Sequence, residues 1–144
     1  MSTDVYATAE KLRAEKLLFE VTFRVGNEQM IAASRLLSQH DDGFWLRQFL
    51  EPEDVATKRR YERVTEIPDV TWRSPFHGGP IQHLCWDQIG DLLREGVPTS
   101  SSETAILAVA ASLVGEYDLN LRDALAVLDS HQVQLVLAAI THAS

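Results

Sequence analysis

Cysteine is almost absent. Cys85 stands alone in 144 residues, which excludes an intramolecular disulfide and leaves packing to hold the chain together. No apolar run approaches the roughly 20 residues a membrane-spanning helix needs, since the longest, Ala105 to Val114, stops at Gly115-Glu116. Membrane contact is therefore not expected. Met1 to Lys16 carries interspersed charges and lacks the apolar core of a secretory leader, so a cytoplasmic location is the expectation. Basic residues are scarce towards the C-terminus: from Ser102 onward Arg122 is set against Glu103, Glu116, Asp118, Asp123 and Asp129. Nucleic-acid binders carry a basic face or a high pI, and with a net charge of −8 no nucleic-acid partner is expected. Phosphate-binding loops are missing too. Gly78-Gly79-Pro80 has neither Walker spacing nor a following Lys-Ser/Thr, and no Gly-x-Gly-x-x-Gly occurs, so nucleotide chemistry loses its usual signatures.

What is there reads as a folded domain, 45% apolar and 24% charged. A chain of this length buries about 70% of its unfolded surface, enough for a core without metal or disulfide staples. Ala105 to Val114 is apolar on every side and so has no face to offer water. It is read as a buried central helix, about 103–114, opened by the capping box of Ser100 and Glu103. The predicted fold is all-α: residues 1–144 as a single compact domain of six to eight short helices around that one.

Along the chain, Asp4 or Thr3 can cap a first helix with Val5, Ala9, Leu12, Phe19 and Phe23 on its apolar face. Phe19 to Val25 also alternates like a strand, which leaves helix or strand open there. Gly26 is expected to take the left-handed position ending that helix, and Asn27 to cap the next, about 28–39. His40-Asp41-Asp42-Gly43 reads as a turn, and Phe44 to Leu50 as a short aromatic helix sealing the core through Trp45 and Phe49. Pro52 is placed in the first turn of a helix running to about Thr65, with Lys58, Arg59, Arg60 and Arg63 on a solvated face. Helices are expected again from Leu84 to Glu95, after Asn120, and after an Asp129/Gln132 capping box.

Between them, Pro68, Pro75, Gly78, Gly79 and Pro80 break any helix through about 67–82. Structureless loops of this length in compact domains are functional or disordered, and Val70, Trp72 and Phe76 suit an ordered loop laid across the central helix. Trp72, Arg73, Phe76 and His77 combine residue types favoured at binding hot spots with a proline frame. They are the candidate partner-binding residues. The functional expectation is a non-catalytic protein–protein interaction module, whether adaptor, assembly subunit or inhibitor-like partner, needing no cofactor; self-association stays open. The alternative is a small metal- or cysteine-dependent enzyme built on His77, His83 and Cys85, with Asp87 as a further ligand type. That cluster lacks a defined fourth ligand, and Cys85 falls in phase with Ile89 and Leu92 as a packing residue would.

Overall fold

The helix that cannot face water is the one the others cover. The computed structural model describes residues 2–144, with side chains placed from Thr8 onward. The cap expected of Thr3 or Asp4 and the apolar role of Val5 lie outside those side chains. Eight α-helices follow one another among the described residues: α1 (Ser2–Thr22), α2 (Glu28–Gln39), α3 (Phe44–Leu50), α4 (Val55–Tyr61), α5 (Trp86–Glu95), α6 (Ser101–Val114), α7 (Leu121–Val127) and α8 (Ser130–Ala143). A two-residue strand β1 (Thr65–Glu66) pairs antiparallel with β2 (His83–Leu84). The all-α compact domain is the observed architecture.

In α6 the seven consecutive residues Ala105 to Ala111 are all buried. Helices α2, α5, α7 and α8 all pack on it. Its start is the expected capping box, with Ser100 Oγ accepting from Glu103 N and Glu103 Oε1 accepting from Ser100 N, and Gly115 ends it in the left-handed region at φ 90°. Asn27 caps α2 as expected, accepting from Met30 N at 2.9 Å. The aromatic end also forms as expected. Trp45 and Phe49 are buried against Tyr61, with ring centroids 6.1 and 5.3 Å from the tyrosine, and Trp45 Nε1 donates to the Glu103 carbonyl at 2.8 Å. A buried indole thus finds the acceptor it needs and ties α3 to the first turn of α6.

Several local expectations are corrected. Residues 19–22 are helix, so the strand alternative falls, but α1 stops at Thr22 and the left-handed residue after it is Arg24 (φ 59°). Gly26 is not at positive φ. The reason is local: the Arg24 guanidinium lies over the Phe23 and Trp72 rings, 5.5 and 5.1 Å from their centroids, a contact that offsets the cost of the unusual backbone. The buried face of α1 is also a different one. Ala14, Leu17, Glu20 and Val21 are buried, whereas Ala9, Leu12 and Phe19 of the expected apolar stripe are exposed. Pro52 precedes α4 and does not enter its first turn; Asp54 is the cap, accepting from Thr57 N at 2.7 Å. That helix ends at Tyr61, passing through a 3-10 turn into β1. Helix α5 starts at Trp86, later than expected, because His83 and Leu84 pair as a strand.

Gly90 of α5 has a role the sequence did not suggest. A Cβ there would sit 2.2 Å from the Glu116 carbonyl oxygen, which also accepts from Arg94 Nη2 at 2.7 Å. The turn after α6 is therefore seated directly on α5. Gly90→Ala forces backbone apart and is expected to cost about 1–3 kcal/mol, read as a lower urea midpoint. An unchanged midpoint would show that α5 and the turn do not meet this closely.

Candidate functional site

The 67–82 segment is a hairpin arm. Beyond the β1–β2 pair, Arg73 and Pro80 form a further antiparallel bridge, Ser74 N donates to the Gly79 carbonyl at 2.9 Å and Ile81 N to the Trp72 carbonyl at 3.0 Å. Asp69 organises the near side by accepting from both the amide and hydroxyl of Thr71, at 2.8 and 2.6 Å, and these bonds hold its carboxyl below the usual aspartate range. At the tip the buried Ser74 Oγ accepts from the amides of Phe76 and His77, and Gly78 supplies the positive φ of 73°. The expectation of an ordered segment holds; its position across the central helix does not. Its identified contacts run to the C-terminal half of α1.

What brings it there is Glu20, 5% exposed. Its Oε1 accepts from His77 Nε2 at 2.8 Å and its Oε2 from Gln82 N at 3.0 Å. His77 Nδ1 accepts from Gly79 N at 3.0 Å, so a neutral ring carries its proton on Nε2 and donates it to Glu20. A buried carboxylate is tolerable when its oxygens are satisfied in this way. His83 makes a parallel tie, its Nε2 donating to the Phe23 carbonyl at 2.8 Å and satisfying one of the open acceptors at the end of α1. Around these bonds runs a file of rings: Phe76 on Phe19 (5.4 Å), Phe19 on Phe23 (5.7 Å), Phe23 on Trp72 (5.6 Å) and Trp72 on His83 (6.1 Å). Lys16 Nζ lies 5.6 Å from the Phe76 centroid.

The four candidate partner-binding residues thus separate. Trp72 is half-buried between Phe23 and His83, while Arg73, Phe76 and His77 are exposed. Phe76 and His77 nonetheless touch α1, and Arg73 has neither hydrogen bond nor ion pair through its side chain among the described residues. Sequence reading missed Glu20 and the exposure of Phe19. An acid on the same helical face as Leu17 and Val21 was the available signal for the first.

His77, His83 and Cys85 do not converge. The two imidazoles are committed to Glu20 and the Phe23 carbonyl, and among the described residues no group of three or more His, Cys, Asp or Glu is arranged to hold a metal ion. Burial pushes the Cys85 thiol up to about 11, with Glu66 and Asp87 adding to the effect. A thiol in that state is a poor nucleophile at neutral pH. The cations of α4 and of the 3-10 turn after it are likewise dispersed: Arg63 pairs with Glu95 and Arg60 lies over Tyr61. No protein-family model matches the chain, and no curated protein or solved structure matches it significantly.

Two outcomes are expected. Glu20→Ala removes the acceptor of a shielded amide, and should lower stability by about 1–3 kcal/mol with helical circular dichroism retained; no loss in a denaturant titration would mean Glu20 does not anchor the hairpin. Cys85 should react with iodoacetamide at pH 7.5 at least about 10-fold more slowly than a free thiol of pKa ~8.5, the lower thiolate fraction outweighing the greater nucleophilicity of its thiolate. A rate near that of free cysteine would contradict its placement.

Proposed function

We propose that the protein is a non-catalytic interaction module whose partner surface is the outer side of the hairpin together with the exposed stripe of α1. The observation that carries this reading is a ribbon of large apolar side chains left open to solvent: Leu12 at 50%, Phe19 at 41% and Phe76 at 51% exposure. Leu12, Lys16 and Phe19 share one helical face, and Phe76 extends the stripe across the hairpin tip. Lys16 borders it over the Phe76 ring and Arg24 over the Phe23 and Trp72 rings, and the exposed Arg73 follows Trp72 in the hairpin. Aromatic and arginine side chains on a held frame are the usual carriers of binding energy at interfaces, and a frame already ordered loses less entropy on association. Between α1 and the hairpin tip lies a pocket of about 280 Å³ lined by Lys16, Leu17, Glu51, Phe76 and others. It has room for an anchoring side chain. The cationic border selects a protein partner that carries carboxylates around such an anchor.

Photo-crosslinking in cells tests this directly, with p-benzoylphenylalanine at position 76 and, as control, at Glu62. A discrete adduct from position 76 that disappears on Arg73→Ala, with none from position 62, is the expected result. An adduct of twice the chain mass would assign the partner as a second copy. Equal labelling from both positions, or an adduct indifferent to Arg73→Ala, removes this surface as the interaction site.

A further inference from the structure

The cationic border of the ribbon calls for a partner that exposes apolar side chains among carboxylates, and this chain carries such a surface itself. It is α7 with the segment that precedes it. Leu121 and Leu125, one helical turn apart, are exposed, and so is Val127. Between α6 and α7 opens a cleft of about 380 Å³, with the buried Ala105, Ala108 and Ala124 beneath it and Tyr117 and Val127 among its other lining residues. A hollow of that size takes a large apolar group, and a contiguous apolar surface left open to water marks a site of interaction.

Its charge is opposite to that of the ribbon. Asp123 lines the cleft, no Lys or Arg is among the lining residues, and Asp118 is exposed just before α7. Neither carboxylate has an ion pair or hydrogen bond among the described residues. Arg122 is the one cation of α7, and Arg94 nearby is taken up by Asp91 and the Glu116 carbonyl. On the ribbon the balance is reversed. Lys16 lies over Phe76 and Arg73 is unpaired, whereas Glu20 is buried under His77 and Glu15 lines a different cleft with Leu18 and Arg35. Leu137 and Ile140 of α8 are exposed too, but that helix has no carboxylate, so charge selects α7. The two surfaces lie on different elements: α7 packs on α6, α1 on α2, α3 and β2. The cleft shares no lining residue with the pocket at the hairpin tip, and one chain can offer both at once.

We propose that the partner of the ribbon is the α7 face of a second copy of this chain, which rests on the ribbon being a partner surface at all. Phe19 and Phe76 of one copy meet Leu121, Leu125 and the cleft of the other, with Lys16 and Arg73 set against Asp118 and Asp123. The apolar contact supplies the affinity, and the opposed charges fix which face meets which. Two unlike patches are joined, so the contact repeats either reciprocally in a two-fold pair or head to tail along a ring or chain.

Sedimentation velocity of the full chain at about 0.1 M salt tests this, because a screening length of ~10 Å hides the net charge of −8 on each copy while charges in contact still act. Wild type is expected to associate with a dissociation constant below about 100 μM. Arg73→Glu, and separately Asp118→Lys with Asp123→Lys, should each weaken association ~10-fold or more with the melting temperature retained. An equimolar mixture of the two variants should associate again, since each supplies the surface that the other has lost. A wild-type chain still monomeric at about 1 mM, association indifferent to either reversal, or a mixture that associates no better than its components overturns the inference. A monomeric chain that still gives a discrete crosslinked adduct from position 76 overturns the inference but leaves the ribbon as a surface for a different partner; loss of both adduct and association removes the two together. If the aspartate pair lowers the melting temperature, Leu125→Lys replaces it, and association undiminished in that variant overturns the inference equally.

Discussion

Burial of α6 is the constraint on which the remaining structure depends. A helix with seven successive buried residues needs neighbours on every side, and here other helices supply that apolar surface while keeping their own backbone groups paired. Its alanines decide how closely those neighbours come. Ala105, Ala108, Ala110 and Ala111 are all buried, and small side chains let α2 and α8 lie close while Ile106 and Leu107 fill the spaces between. The ends are fixed as firmly as the middle. Trp45 grips the first turn through the Glu103 carbonyl, and the turn after Gly115 is seated on Gly90.

Helix α1 belongs to this arrangement only in part. Its Ala14, Leu17 and Val21 reach the buried interior, while its outer stripe is left to the hairpin and to solvent. A buried carboxylate holding two donors gives the hairpin a direction as well as a tether, because Glu20 takes His77 from the tip and Gln82 from the returning strand at once. The ring file from Phe76 to His83 then spreads the contact along the last turn of α1 and the residue just beyond it. Each edge-on pair contributes about 0.5–1.5 kcal/mol beyond area burial. Phe19 and Phe76 are shared between holding the arm and facing outward, and that dual position is what makes their exposure a feature of the surface.

Much of this architecture is legible in the residues alone. Caps are local chemistry, so Asn27, Ser100 with Glu103, and Asp129 with Gln132 mark helix starts where the structure has them. The all-round apolarity of 105–114 identifies the central helix for the same reason. The face of α1 was not legible, because Leu12, Phe19 and Leu17, Val21 define two apolar stripes and only tertiary contact chooses between them. Nor were Glu20 and Gly90, whose roles depend on groups 57 residues away at His77 and on a carbonyl in a later turn. The hairpin was recognised as ordered from its prolines and aromatics, but its docking site rested on a buried hydrogen-bonding acid that local patterns do not reveal. Of the candidate site, the residue types were visible; their division into anchor and outward-facing groups, and the carbonyl and carboxylate that commit His83 and His77, were not read from the local pattern.

The account stands on the hairpin being a held frame, and native-state hydrogen exchange of the wild-type chain measures that most directly. The amides of Ser74, Gly78, Ile81 and Gln82 all donate hydrogen bonds, and they are predicted to exchange far more slowly than the amides of the exposed residues 67 and 70, approaching the protection of the ends of α1. Exchange of those four amides at the rate of an unstructured chain, while the α6 amides remain protected, would contradict it.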